Sequence, residues 1–288
     1  MTIDPDFLDE LDRFEAALDR ESGAIHQGEQ ESPRIGEGLT FSDYRRYSPG
    51  DDTRRIDWKL FARTEEYFIK QYEEERSLTV HVLVDSSASM DYGEGRSHKF
   101  EYGAKIGLGF AYLSAEEHND FVFGTFRQQA ERLDGGRSNR GEVLDLIDQL
   151  NGMTPSGEAN IEAALSAYAN RIKSRSLAVV VSDCLDDPEA IESGVAALVR
   201  NDVDVLLVRP IAPEERDPGV VGDALFVDPE SEETQRSYFS GSFVNTYRSR
   251  LDAHVDEVSE RVATLGGEHA VVDTGIEYFD SFAGVWLG

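Results

Sequence analysis

The stretch Leu83-Val84-Asp85-Ser86-Ser87-Ala88-Ser89-Met90 decides the fold prediction. It is the end of an apolar, β-branched run that begins at Val80 and stops abruptly in the pattern Asp-x-Ser-x-Ser. Such a run predicts a buried strand, which places one carboxylate and two hydroxyls (Asp85, Ser87 and Ser89) at its carboxyl end. Mg²⁺ prefers oxygen ligands, and open α/β sheets bind ligands beyond the carboxyl ends of their strands. The stretch therefore predicts a site for a hard divalent cation.

Strands and helices alternate from residue 79 onward. Apolar runs predict strands at residues 79–84, 121–126, 177–181, 203–208 and 270–272. Helical periodicity predicts helices at residues 99–115, 141–150, 160–173, 188–200 and 243–265. This alternation is typical of a parallel sheet with helices on both faces. We therefore predict an α/β fold with a doubly wound, mostly parallel sheet over residues 77–288. Within it, residues 210–241 are polar and are predicted to form loops with a hairpin around residues 225–227.

A second predicted strand also ends in a carboxylate, in the run Val179-Val180-Val181-Ser182-Asp183. If the two strands are neighbours in the sheet, Asp85 and Asp183 lie at one edge, and the loop at residues 151–160 reaches the same edge. Two interpretations follow. The carboxylates hold a metal ion, Mg²⁺ or alternatively Mn²⁺, or they only accept hydrogen bonds from neighbouring backbone N–H groups and hold none.

Residues 1–76 are predicted to be an N-terminal extension, with a helix to about residue 20 and a polar loop over residues 21–38. Residues 34–63 then carry seven basic and five acidic side chains in a chain whose net charge is −29. This block is either a set of Arg–carboxylate pairs that fixes an irregular segment or a docking surface for a partner. The candidate partner-binding residues are Arg45, Asp51, Asp52, Arg54, Asp57, Trp58 and Arg63.

The composition limits the classes of function. The chain has 288 residues and only five lysines. An acidic, lysine-poor surface is typical of proteins from a halophile cytoplasm, where salt screens self-repulsion within a few ångströms. The net charge argues against nucleic-acid binding. No apolar run reaches the length of about 20 residues that a membrane span needs, and no signal peptide is visible, so we expect a cytoplasmic protein. A single cysteine, Cys184, excludes an internal disulfide.

The pattern of Asp85, Ser87, Ser89 and Asp183 resembles the metal-ion-dependent adhesion site of von Willebrand factor A domains. That resemblance implies that these four residues are the metal-site residues and that Mg²⁺ is the ion. The family site also uses a threonine. At the corresponding place this chain reads Gly-Glu-Ala-Asn-Ile, so that Ala159, which has no ligand oxygen, stands where the threonine is expected. Asn160, Glu158 and Thr154 are the alternatives that could supply an oxygen in its place.

A longer block resembles the family called domain-of-unknown-function 58. The matching positions are Tyr44, Arg45, Tyr47, Pro49, Gly50, Asp51, Asp52, Arg54, Ile56, Asp57, Trp58, Ala62 and Arg63, whereas Thr40 stands where glutamate is usual. The resemblance implies a von Willebrand factor A-like domain preceded by a family-specific extension. It also implies a protein partner, a MoxR-type AAA+ ATPase, and a role in the assembly or maturation of protein complexes.

The function expected from these features is a non-enzymatic protein-interaction module. The sequence contains no Gly-x-x-x-x-Gly-Lys-Ser/Thr phosphate loop and no Gly-x-Ser-x-Gly nucleophile turn. Two alternatives stay open. One is a structural scaffold with a degenerate metal site, and the other is a Mg²⁺- or Mn²⁺-dependent hydrolase that uses the carboxylates at positions 85 and 183.

Overall fold

The computed structural model of the chain describes residues 2–25, 40–46, 68–73, 78–219, 222–227, 229–230 and 234–287. The chain divides into two compact units. The larger unit consists of Met1–Glu29 together with Leu78–Gly288, and the smaller unit is Gln30–Ser77.

The strands of the described residues are β1 (Thr40–Arg46), β2 (Phe68–Glu73), β3 (Thr79–Asp85), β4 (Asp120–Phe126), β5 (Ala130–Arg132), β6 (Ser176–Val181), β7 (Val203–Ile211), β8 (Gly222–Val227), β9 (Thr234–Phe239) and β10 (Glu268–Asp273). The helices are α1 (Phe7–Ile25), α2 (Lys99–Glu116), α3 (Arg140–Asn151), α4 (Ile161–Ala169), α5 (Pro188–Val199), α6 (Pro213–Arg216), α7 (Gly241–Thr264) and α8 (Tyr278–Leu287).

The larger unit is built on a sheet of six strands in the order β10-β7-β6-β3-β4-β5. All neighbours are parallel except β4 and β5, which form an antiparallel edge. β3 lies in the middle, with Val82 opposite Val179 of β6 and Phe123 of β4. Both faces of β3 are buried, which is why its sequence is almost continuously apolar. The predicted α/β fold with a doubly wound, mostly parallel sheet is confirmed.

Helices cover the sheet on both faces. On one face, α1, α2, α3 and α8 pack with side chains such as Val82 and Val181. On the other, α4, α5 and α7 pack with side chains such as Val180 and Leu207. Alternate residues of a strand point to opposite faces, so adjacent valines in β6 contribute to different cores.

The N-terminal helix α1 belongs to the larger unit. Ile3, Phe7, Leu8 and Leu11 are buried in the first core, and the Phe7 ring lies edge-on to Tyr278 of α8 with centroids 5.1 Å apart. The sequence analysis grouped this helix with residues 1–76, whereas its packing joins it to the helices that cover the sheet. The boundary near residue 77 stays a prediction.

The smaller unit contains the antiparallel pair β1 and β2, in which Tyr44 is opposite Lys70. Between residues 210 and 241, the structure has a short helix, α6, and the antiparallel pair β8 and β9. This strand pair agrees with the predicted hairpin, although β9 was not recognised from its polar sequence. Of the described residues, no helix is both long enough and apolar enough to cross a membrane.

Candidate functional site

The two carboxylates that were predicted to share a site lie at the same edge of the sheet. Asp85 is the last residue of β3, and Asp183 follows the end of β6 by two residues. The two strands are parallel neighbours, with Val84 opposite Val181. We call this edge, formed by the carboxyl ends of the parallel strands, the carboxyl edge of the sheet.

Asp85 is enclosed by hydroxyl and amide groups. Its Oδ1 accepts a hydrogen bond of 2.9 Å from the backbone N–H of Ser87, and its Oδ2 accepts one of 2.7 Å from the Ser182 hydroxyl. A short 3-10 helix, Ala88–Met90, follows the strand, and the Ser87 and Ser89 hydroxyl oxygens lie 3.0 Å apart. Asp85 is only 1% exposed, so the turn gathers one carboxylate and two hydroxyls in a buried position.

The environment of Asp85 favours a cation. Burial first, and then the negative charge of Asp183, raise the pKa of Asp85 to about 7, although hydrogen bonds from Ser182 and Ser87 oppose this change. In the described part of the chain, no Lys, Arg or His side chain forms an ion pair with Asp85. A buried carboxylate without a cation is costly in its ionised form. The oxygen donors of Asp85, Ser87 and Ser89 therefore fit Mg²⁺ or Mn²⁺ in their chemistry.

Asp183 is in a different electrostatic situation, because its partner is Lys99. The Lys99 ammonium donates hydrogen bonds of 2.9 Å to Asp183 Oδ2 and of 2.6 Å to Glu215 Oε1 of α6. The Lys99 side chain is 1% exposed. Burial acts to lower the pKa of Lys99, but the Asp183 and Glu215 carboxylates outweigh it and raise the pKa above its ordinary value. The ammonium is thus a permanent charge at the carboxyl edge.

Sequence analysis missed Lys99. A signal was present, since Lys99 opens α2 and a cation is unfavourable at the positive end of the helix dipole. A lysine at the start of an apolar helix therefore indicates a carboxylate nearby. Its partners are 84 and 116 residues away in the sequence, so no local pattern identifies them.

The loop that was expected to add a ligand is bonded to the motif through its backbone. The Ser156 N–H donates to the Ser86 carbonyl, and the Ala88 N–H donates to the Gly157 carbonyl, each at 2.9 Å. This pairing holds the loop beside the Asp-x-Ser-x-Ser turn. The side chain at position 159 is a methyl group and offers no oxygen.

Two polar residues near this loop, Asn160 and Thr154, have other surroundings than the oxygen cluster around Asp85. Asn160 caps α4, because its side-chain oxygen accepts a 2.9 Å hydrogen bond from the Ala163 N–H. Thr154 lines a small recess with Ser86 and Ser156. Neither residue is part of the oxygen cluster around Asp85 that the structure describes.

The predicted partner-binding block falls mostly outside the described residues. Arg45 lies in β1, where its backbone is opposite Ile69. The other members, Asp51, Asp52, Arg54, Asp57, Trp58 and Arg63, are not among the described residues. The choice between a structural network and a docking surface therefore stays open.

Comparison with known proteins gives a family match over most of the chain. The family model described as "Protein of unknown function DUF58" matches residues 43–255. The uncharacterized protein Rv1480 of Mycobacterium tuberculosis is 23% identical over 266 residues, which cover 91% of this chain and 83% of that protein. The uncharacterized protein Mb1516 of Mycobacterium bovis matches with the same values.

Solved structures show a distant likeness. An aerotolerance-related membrane protein from Bacteroides fragilis is 14% identical with a TM-score of 0.48, covering 73% of this chain and 97% of that one. The conserved hypothetical protein BatB from Bacteroides thetaiotaomicron is 9% identical with a TM-score of 0.46, covering 73% and 100%. The SpRpn10 VWA domain is 10% identical with a TM-score of 0.45, covering 72% and 94%.

Proposed function

This chain belongs to the DUF58 family of proteins of unknown function, and on that premise we propose that it is a non-enzymatic protein-interaction module that binds its partner at the carboxyl edge of the sheet. In this proposal Asp85, Ser87 and Ser89 hold a Mg²⁺ ion, with Asp183 beside them. The partner is a MoxR-type AAA+ ATPase or a client of that ATPase, in the assembly or maturation of protein complexes.

The observation that carries the proposal is the oxygen cluster around Asp85. One buried carboxylate and two hydroxyls converge at a strand end, and the carboxylate has no cation of its own in the described part of the chain. The chemistry that Mg²⁺ supplies in such a site is an open coordination position for an oxygen ligand. Asp85 and the two serines would hold the ion and leave that position for a carboxylate of the partner.

Exposed apolar side chains at the same edge support a protein partner. Tyr92 follows the β3 motif and is 42% exposed, Leu185 follows β6 and is 56% exposed, and Ile276 follows β10 and is 51% exposed. All three come after the carboxyl ends of parallel strands and thus lie on the carboxyl edge. Exposed apolar side chains that lie in one area of a surface are typical of protein-interaction sites.

The ATPase partner is supported by the family resemblance. The sequence has no phosphate-binding loop of its own, so in a complex with an AAA+ ATPase the partner would supply ATP hydrolysis. The contribution of this chain would be recognition, through groups that bind without breaking a bond.

The test combines metal binding with partner binding. Calorimetry in concentrated KCl measures Mg²⁺ and Mn²⁺ binding to the wild type and to Asp85→Ala, and co-purification with the ATPase is measured for both proteins with and without Mg²⁺. We expect Asp85→Ala to abolish metal binding and to weaken the partner complex. Asp91→Ala is the matched control, because Asp91 is an exposed carboxylate six residues further along the chain. A partner complex that is equally tight in wild type and Asp85→Ala at saturating Mg²⁺ would show that the metal has no role in it.

A structural scaffold with a degenerate metal site is the second candidate. Two observations favour it: the ammonium of Lys99 already neutralises Asp183, and position 159 offers no oxygen. This candidate predicts no saturable Mg²⁺ or Mn²⁺ binding by the wild type, with partner binding unaffected by a chelator.

A further inference from the structure

We propose that Lys99 sets the metal affinity of the site by retaining Asp183 as its own counter-ion. The cation is then held by Asp85 and the two serines, and Asp183 is not one of its direct ligands. This inference deepens the proposed function and rests on it.

The geometry of Lys99 supports this role. Its side chain extends from the first residue of α2 to the carboxyl edge, where the ammonium lies between Asp183 and Glu215, at 2.9 and 2.6 Å. The ammonium also lies 5.6 Å from the centre of the Tyr92 ring, which adds a favourable cation–π contact. Three groups from three segments thus hold the charge in one position.

The opposite carboxylate is also fixed in place. Glu215 accepts a hydrogen bond of 2.9 Å from the Ala212 N–H through its second oxygen. Glu215 is therefore held in its position and cannot easily move together with the Lys99 ammonium if Asp183 turns toward a metal ion. Asp183 is 5% exposed, and separating a buried carboxylate from its ammonium is costly because little water is available to replace the pairing.

The ammonium also acts through its charge. A divalent cation beside Asp85 is repelled by the fixed positive charge of the Lys99 ammonium, and this repulsion is stronger in a buried site than in water. Replacing Lys99 with methionine removes that charge and leaves Asp183 free to approach the cation. Both effects increase the metal affinity of the site.

The experiment measures Mn²⁺ binding by calorimetry to the wild type, to Lys99→Met, and to the double variant Lys99→Met/Asp183→Asn. We expect the Kd of Lys99→Met to fall by about tenfold, because the positive charge that repels the cation is lost and Asp183 can approach the ion. The double variant removes one positive and one negative charge, so the net charge near the cation is unchanged, and we expect its Kd to stay within about threefold of the wild type. Lys105→Met is the matched control, since Lys105 lies on the same helix and pairs with Glu101 away from the site. Its Kd should not change.

Each outcome decides the inference. A Kd that is unchanged or higher in Lys99→Met, while the wild type binds Mn²⁺, overturns the role of Lys99 and leaves the proposed metal site intact. Binding by Lys99→Met without binding by the wild type supports the role of Lys99 and refutes a metal-loaded wild type. If neither protein binds, the inference is wrong. If Lys99→Met does not fold, the double variant decides: a Kd more than tenfold above the wild type would make Asp183 a direct ligand and overturn the inference.

Discussion

Replacing Asp85 with asparagine should stabilise the protein against unfolding at pH 8 much more than at pH 5. Asp85 is 1% exposed, and its two oxygens accept hydrogen bonds from Ser87 and Ser182 but from no cation in the described part of the chain. Asparagine has the shape of the protonated carboxyl and cannot ionise. The substitution therefore removes the cost of the buried charge and retains an oxygen to accept the Ser87 N–H.

The magnitude follows from the pKa of Asp85. Its ordinary value is 3.8, and burial together with Asp183 raises it to about 7 in the folded protein. Between these values the folded state keeps a proton that the unfolded chain has lost, so stability is greatest at low pH and falls by about 1.4 kcal/mol for each pH unit of increase. From pH 5 to pH 8 the loss is about 3 kcal/mol. Above pH 8 it does not grow further, because the carboxyl is then ionised in both states.

The assay is urea unfolding of the wild type and Asp85→Asn at four pH values from 5 to 8, at fixed KCl and with EDTA present. His81, which is buried, and His269, which is half-buried, have pKa values that burial lowers to about 4. They are present in both proteins, so their contributions cancel from the difference. The advantage of Asp85→Asn should grow by about 3 kcal/mol across this range. Asp145→Asn is the control for the substitution itself, because that side chain is 65% exposed. Parallel stability curves for the wild type and Asp85→Asn would refute the account of Asp85 given above.

Three further substitutions test the packing and the charges. Arg209 is 2% exposed, and its NH1 nitrogen has no hydrogen-bond partner among the described residues. Arg209→Met should therefore stabilise the protein by about 1–3 kcal/mol in chemical denaturation, because it removes a buried donor without an acceptor. A destabilised variant would indicate a ligand for the guanidinium. A Cβ on Gly109 would lie 2.6 Å from Phe282 Cζ and 2.7 Å from the Tyr278 hydroxyl. Gly109→Ala should therefore lower the free energy of unfolding by about 1–3 kcal/mol. An unchanged melting temperature would mean that α8 moves freely. Although burial opposes it, hydrogen bonds from Arg132 and from the Phe123 N–H lower the pKa of the buried Asp134 below its ordinary value of 3.8. Asp134→Asn should therefore cost about 2 kcal/mol at pH 7, and this cost should shrink only below about pH 4, where the carboxyl takes up a proton. A cost that stays constant below that pH would exclude the charge as its source.

The fold could be predicted from the sequence because its determinants are local. A central parallel strand is buried on both faces, so β3 and β6 appear as apolar runs that no amphipathic helix would show. Three of the proposed metal-site residues, Asp85, Ser87 and Ser89, lie within five positions of one another. The position of Asp183 required one further step, the rule that parallel neighbours end at the same edge of a sheet.

The rest of the site could not be predicted because it depends on contacts between distant segments. The pairing of Lys99 with Asp183 and Glu215 joins the start of one helix to a loop and to the short helix α6, and an ion pair has no sequence period. Likewise, the apolar face of α1 predicted a helix with one buried face. It did not predict that Phe7 packs against α8, which lies at the other end of the chain. Periodicity identifies the buried face of an element, and only the three-dimensional arrangement identifies its partner.

The different surroundings of Asp85 and Asp183 favour an interaction site over an inert scaffold. In a scaffold whose metal site had become degenerate, both carboxylates should be satisfied by groups of the protein. Asp183 meets that expectation, because Lys99 neutralises it. Asp85 does not, since its partners are a backbone N–H and a hydroxyl, and its ionised form costs a few kcal/mol that asparagine would avoid. A cation from outside the chain would offset that cost. The scaffold candidate thus accounts for the surroundings of Asp183 but not for those of Asp85, whereas a metal-dependent interaction site accounts for both.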